Sequence, residues 1–227
     1  DTTMNTKRIS IAVAGTVGAL VLTGLTIVAQ PQSDEPPEMG FFITSIGLGD
    51  GGNLGGIAGA DAHCQALAEA AGAGHRTWRA YSSTQGDDAV NARDRIGSGP
   101  WANAEGLTIA TNSESLHHDN SNITWEHTLD ENGDQFESRL GGDPEFTEHD
   151  VLTGTQIVGT AFPAGDDQTC SNWTSNNEGS ARVGHPDRIS FSTPGAPWNS
   201  SHGTPGCTQE NLVSVGGAGL FYCFAAE

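Results

Sequence analysis

The order of hydrophobic and polar positions predicts one early helix followed by many short strands. Residues 41–46 form a β-branched and aromatic run, which is typical of an opening strand. Between residues 61 and 71, small or apolar side chains recur with helical spacing and place Cys64 on the buried face of a helix. We expect Asp61 to cap this helix at its N terminus and Gly72 to end it.

Beyond this helix, short apolar segments alternate with glycine, proline and polar residues. Residues 76–83 alternate in polarity, which predicts a half-buried strand with Trp78 on its inner side and Tyr81 on its outer side. A second short helix is expected after it, and a hairpin is expected at residues 128–136. Further strands are predicted at residues 156–162, 170–174, 189–192, 212–215 and 219–225. This order of elements indicates an α+β domain.

The N-terminal residues have the composition of a targeting segment. Lys7 and Arg8 precede an uncharged apolar run that ends at Ala29, so residues 1–29 are interpreted as an export signal. An uncleaved signal anchor is the alternative, because about 20 apolar residues can span a bilayer. Residues 30–40 are acidic and proline-rich and are expected to form a linker. The domain at residues 41–227 would then be extracellular, periplasmic or on the cell surface.

The charge of this exported part narrows its possible partners. After residue 29 the chain contains seven arginines, no lysine and 27 acidic residues, a formal balance of −20. Such a surface repels phosphate backbones and anionic lipids. We therefore expect no nucleic-acid partner, and membrane contact only through an uncleaved N-terminal segment.

The four cysteines are best interpreted as two disulfides. Cys64, Cys170, Cys207 and Cys223 form an even set in an exported chain, and three connectivities are possible. A zinc site built from them is disfavoured, because no pair has CxxC spacing.

Two short motifs suggest ligand binding but have simpler explanations. Gly47, Gly49 and Gly52 fit the GxGxxG pattern, yet no strand ending in an acidic residue follows at the dinucleotide-binding distance. We expect a structural turn there. Residues 130–134 alternate oxygen-bearing side chains as calcium loops do, but the bidentate glutamate is missing, so an Asn-Gly hairpin turn is favoured.

The histidines are further candidates for metal ligands or acid–base groups. Residues 117–119 and 149–150 combine histidine with aspartate and offer metal or acid–base groups, although histidines in polar loops are usually solvated. GxSxG and HExxH motifs are absent, and no catalytic residue is assigned. An enzyme would require a converging cluster with shifted pKa values, such as His185, Asp187 and His202 in one pocket.

Several stretches together resemble a known family. They are Gly59-Ala-Asp-x-x-Cys64, Arg79-Ala-Tyr-Ser82, Cys170-Ser-Asn-Trp173 and Leu220-Phe-Tyr-Cys-Phe224. In this order they resemble the endostatin domain of collagens XV and XVIII over residues 41–225. The endostatin domain is a variant of the C-type lectin-like fold, which Trp198-Asn199 and the final aromatic-Cys-aromatic strand also resemble.

The resemblance implies a disulfide pairing and a place for the ligand. It implies nested bridges, Cys64 to Cys223 outside and Cys170 to Cys207 inside. A bridge between the first helix and the last strand would leave the loops near the inner bridge free to form a binding surface.

The ligand sets of the resembled families are only partly present. Clustered arginines for heparan sulfate are lacking, and residues 162–164 and 198–200 depart from the calcium-binding triplets of sugar-binding lectins. Calcium is a possible cofactor, with Asp166, Asp167 and Asn199 as oxygen ligands. The predicted ligand-binding residues are Trp173, Asn176, Asn177, Glu178, His185, Trp198 and Asn199. The alternative for Trp173 and Trp198 is a place in the core.

The sequence thus favours an exported, non-enzymatic recognition domain. It would bind a glycan or a surface protein through loops between residues 162 and 207. The alternatives are a structural, self-associating subunit of an extracellular assembly, or an enzyme built on the same fold.

Overall fold

The first and last strands of the domain pair with each other, and the last strand is the central strand of their sheet. The computed structural model describes residues 35–117, 121–141, 146–187 and 197–227. The predicted export segment at residues 1–29 and the predicted strand at 189–192 lie outside these residues. Residues 35–227 form one compact unit with the expected α+β composition.

Eight short strands and three helices make up the described regular structure. The strands are β1 (Phe41–Ile43), β2 (Trp78–Ala80), β3 (Trp101–Ala102), β4 (Thr108–Ala110), β5 (Val151–Leu152), β6 (Arg182–Gly184), β7 (His202–Gly203) and β8 (Tyr222–Ala225). The helices are α1 (Gly56–Ala70), α2 (Ser113–His117) and α3 (Gln209–Val215), and Ala92–Asp94 form a 3₁₀ turn. The antiparallel sheets have the orders β1-β8-β2, β3-β4 and β5-β6-β7.

Strand β8 separates two hydrophobic clusters. Successive side chains of a strand point to opposite faces. Cys223 therefore lies in the cluster beneath helix α1, while Tyr222 and Phe224 lie in the cluster on the other face. Tyr81 belongs to this second cluster and is fully buried, so its expected place on an outer side is wrong.

Both disulfides form with the pairing that the family resemblance implied. Cys64 of helix α1 is joined to Cys223 of strand β8, and Cys170 is joined to Cys207. The sequence separations are 159 and 37 residues, so the inner bridge lies within the loop closed by the outer one.

Asp61 is not the N-terminal cap of helix α1. The helix begins at Gly56, and Asp61 lies inside it with a side chain that is 11% exposed. Its carboxylate accepts two hydrogen bonds from Arg95 at 2.7 and 2.9 Å and one from the Ala80 amide at 3.0 Å. Arg79 adds a third cationic contact at 2.8 Å. Asp61 thus connects helix α1 to strand β2.

Three predicted strands of the last third have another structure. Residues 156–162 form a turn in which the Gln156 amide donates to the Thr160 carbonyl oxygen at 2.9 Å, beside an isolated bridge between Thr155 and Ala161. Residues 170–173 form a turn with φ between 46° and 67°, the left-handed region that side chains rarely adopt. Asp167 stabilises this turn by accepting hydrogen bonds from the amides of Thr169 and Ser171, both at 2.9 Å. Residues 212–215 belong to helix α3, which Thr208 caps by accepting from the Asn211 amide.

The glycine-rich segment and the Asn-Gly turn have structural roles. A Cβ atom added to Gly52 would lie 2.5 Å from Cys170 Sγ, so a side chain there would displace the inner disulfide. Asp130 Oδ1 accepts hydrogen bonds from the amides of Asn132 and Asp134, which closes the predicted hairpin turn.

The described part of the chain contains no helix with the length and hydropathy needed to cross a bilayer.

Candidate metal centre

The antiparallel sheet β5-β6-β7 brings three histidines and one aspartate together. His149 and Asp150 directly precede β5, His185 directly follows β6, and His202 begins β7. The register pairs Val151 of β5 with Gly184 of β6. Asp150, just before β5, therefore lies beside His185, just after β6. Val183 pairs with His202, which places the third histidine at the same end of the sheet.

The imidazole nitrogens surround the Asp150 carboxylate. Asp150 Oδ1 lies 2.8 Å from His185 Nε2 and 3.5 Å from His149 Nε2, and Asp150 Oδ2 lies 3.4 Å from His202 Nε2. The Nε2 atoms of His185 and His202 are 3.1 Å apart. The His149 and His185 rings are stacked, with centroids 4.6 Å apart and an interplanar angle of 8°.

Asp150 is buried without a hydrogen bond. Its side chain is 1% exposed, and neither carboxylate oxygen has a hydrogen-bond partner. The 2.8 Å contact with His185 meets the distance of an ion pair, but its angles do not satisfy a hydrogen bond. An N–H that does not point at the carboxylate oxygen leaves that oxygen unsatisfied. A buried carboxylate in this state is costly unless a cation compensates it.

Each histidine directs its other ring nitrogen outward. His149 Nδ1 lies 2.8 Å from Asp187 Oδ2, His185 Nδ1 lies 3.2 Å from the Ser201 hydroxyl, and His202 Nδ1 lies 3.2 Å from the Gly203 carbonyl oxygen. The Asp187 carboxylate and the Gly203 carbonyl oxygen can only accept, which assigns the proton of His149 and of His202 to Nδ1. The lone pair of His149 Nε2 then points inward, as in histidines that bind metals.

Asp187 supports this arrangement electrostatically. Burial opposes ionisation of Asp187, but hydrogen bonds from His149 and from the Ser138 hydroxyl at 2.8 Å outweigh it, so its pKa is lowered. The hydrogen bond to Asp187 raises the pKa of His149, while burial partly opposes the shift. The carboxylate therefore remains charged and orients the His149 ring.

The distances among the inward-facing atoms match the size of a transition-metal site. Donor atoms about 2.0–2.1 Å from a tetrahedral zinc ion lie about 3.3–3.4 Å from one another. Within the set of possible ligands, Asp150 Oδ1 lies 2.8 Å from His185 Nε2 and 3.5 Å from His149 Nε2, on either side of this value. His149, Asp150 and His185 form the set whose ligand atoms all lie within 4.8 Å of one another. Imidazole ligands favour zinc, copper, nickel or iron over calcium.

The predicted ligand-binding residues do not gather at this centre as a group. His185 is part of it, whereas Trp173, Trp198 and Asn199 are buried in the core, with exposures of 0%, 3% and 1%. The Asn199 amide nitrogen donates to the Tyr81 hydroxyl at 3.0 Å. The remaining three, Asn176, Asn177 and Glu178, are exposed.

The predicted calcium ligands lie in different surroundings. Asp166 is exposed, Asp167 stabilises the left-handed turn, and Asn199 is buried beside Tyr81. Calcium binding at these residues stays a prediction.

The sequence indicates the members of the centre but not that they meet. The pair 149–150 offers a metal or acid–base group, and His185, Asp187 and His202 are the residues that an enzyme would bring into one pocket. The structure joins both sets around Asp150. The available signal was that each histidine borders a short β-segment, but that signal does not say which segments pair.

No protein-family model matches this sequence, and no curated protein is significantly similar to it.

Proposed function

We propose that this protein is an exported recognition domain whose ligand-binding loops are organised by a transition-metal ion. The domain binds a glycan or a surface protein through the segment between residues 162 and 207 and the strands beside it. His149, Asp150 and His185 hold the metal. His185 lies within this segment, so the metal ties the recognition loops to strand β5.

The observation that carries the proposal is the Asp150 carboxylate. It is almost completely buried, lacks hydrogen bonds and faces the Nε2 atoms of three histidines. A divalent cation compensates the carboxylate and uses the inward lone pairs at the same time.

The endostatin-like, C-type lectin-like fold is part of the same proposal. It is supported by the nested disulfides and by the helix α1 that precedes strand β2. The two disulfides also fit an oxidising compartment, in agreement with an exported protein. The strongly acidic composition of the chain after residue 29 argues against nucleic acid as the partner.

Elemental analysis and binding assays on the exported protein test the proposal. We expect one transition-metal ion per chain, a thermal midpoint that falls on chelation, and glycan-array or cell-surface binding that chelation weakens. Asp150→Asn should lose the metal, while the exposed Asp166→Asn should keep it. A protein that binds no transition metal, or that binds its partner equally well after chelation, would refute this function.

A metalloenzyme on the same fold is the second candidate. It is favoured by the convergence of His185, Asp187 and His202 on one cluster of side chains. Turnover by the metal-loaded protein that Asp150→Asn abolishes would favour it over recognition alone.

A further inference from the structure

We propose that the metal keeps one open coordination position beside His202, at which a carboxylate group of the bound partner coordinates directly. This inference rests on the proposed metal centre and names the chemistry that the centre recognises.

The ligand set supports an open position. His149, Asp150 and His185 are the residues whose ligand atoms are all mutually close, a set of two histidines and one carboxylate. Sites with three protein ligands of this kind leave a coordination position for water or substrate, whereas closed structural sites use four. His202 lies next to this set and is not part of it.

The exposure of the side chains shows where the position faces. Asp150 is 1% exposed, His149 13%, His185 16% and His202 42%. The carboxylate therefore forms the floor of the centre, and the solvent side is next to His202. Strand β7, which carries His202, is an edge strand of its sheet, so no further strand pairs over this side in the described residues.

His202 borders such a position without being a ligand. Its Nε2 lies 3.1 Å from His185 Nε2 and 3.4 Å from Asp150 Oδ2. A group that coordinates at the open position therefore lies beside this imidazole.

One open position selects a carboxylate over neutral sugar hydroxyls. Chelation by two vicinal hydroxyls needs two neighbouring positions, as large oxygen-coordinated ions such as calcium provide. A carboxylate needs one and brings a charge that the cation attracts. The exported part of the chain has seven arginines against 27 acidic residues, so a bound metal ion adds a local positive charge to a strongly acidic protein.

Cobalt substitution provides the test, because the visible spectrum of Co²⁺ reports its coordination. We expect the Co²⁺-loaded protein to change its absorption on titration with acetate or glucuronate, and not with glucose. His202→Ala should retain Co²⁺ and its spectral response to acetate, because His202 is not a metal ligand. His185→Ala should lose Co²⁺, and His75→Ala, far from the centre in an exposed contact with Glu38, should behave like the wild type.

The outcomes separate this inference from the proposed function. If the wild type binds no Co²⁺, the metal centre itself is refuted. If Co²⁺ binds, its spectrum ignores acetate and glucuronate, and His202→Ala loses the metal as His185→Ala does, then the site is closed with four protein ligands. In that case the inference is overturned while the metal-organised recognition domain stands.

Discussion

Replacing Asp150 with asparagine distinguishes a metal centre from a buried network of ion pairs. The substitution preserves the shape of the side chain and removes the charge of a carboxylate that is 1% exposed and has no hydrogen bond. If the cluster is built for a cation, the effect of the substitution on stability should change sign with metal.

The expected magnitudes follow from the burial and from mass action. In metal-free protein, Asp150→Asn removes an unsatisfied buried charge, so the free energy of unfolding should be unchanged or higher by about 1 kcal/mol. Metal at 100 times its dissociation constant stabilises the wild type by about 2.7 kcal/mol. A variant whose affinity is about 100-fold lower gains only about 0.4 kcal/mol at the same concentration. The loaded variant should therefore be the less stable protein.

Urea unfolding of the oxidised protein measures the four free energies of unfolding, those of the wild type and of Asp150→Asn, each with zinc and with chelator. The matched control is Asp166→Asn, which removes an equal charge from an exposed position and should leave the gain from zinc unchanged.

The opposite pattern would exclude a metal centre. If Asp150→Asn lowers the metal-free unfolding free energy by about 3–5 kcal/mol, the carboxylate is already compensated by charged histidines. If zinc in addition leaves the wild-type stability unchanged, the cluster is a structural ion-pair network.

Three further predictions concern the fold that carries the centre. Asp61→Asn should lower the free energy of unfolding by about 3–5 kcal/mol, measured with urea, because it breaks the buried ion pair with Arg95. A loss as small as that for an exposed aspartate would contradict this role. Replacing Cys64 and Cys223 together by alanine should lower the free energy of unfolding by about 5 kcal/mol, since the bridge closes a loop of 159 residues. Peptide mapping that finds another cysteine pairing would contradict this prediction. Burial raises the pKa of the Tyr81 phenol, so the folded state retains its proton and stability should fall as the pH rises above about 10; Tyr81→Phe should reduce this fall, and an unchanged pH profile would contradict the assignment.

Several local features of the fold could be predicted from the sequence. The spacing of small and apolar residues around Cys64 predicted helix α1, and the aromatic runs at both ends of the domain predicted strands β1 and β8. These predictions succeed because each depends on neighbours within one or two turns of helix or a few residues of strand. The family resemblance added the disulfide pairing, which the cysteine spacing alone left open.

Local patterns failed where distant contacts decide the conformation. Residues 170–173 have apolar members that suggested a strand, but the disulfide to Cys207 and the hydrogen bonds to Asp167 hold them in a left-handed turn. Tyr81 follows a strand whose alternation pointed it outward, yet it is buried against Trp198 and Tyr222.

Composition and short-range periodicity are enough to predict an acidic α+β domain with one amphipathic helix, many short strands and an even set of cysteines that suits an oxidising compartment. The contact of Asp150 with His149, His185 and His202 is absent from these local patterns and arises only in the folded chain. Their union depends on the register of three short strands separated by loops. A shift of one residue in either pairing would turn the histidines to the opposite face of the sheet.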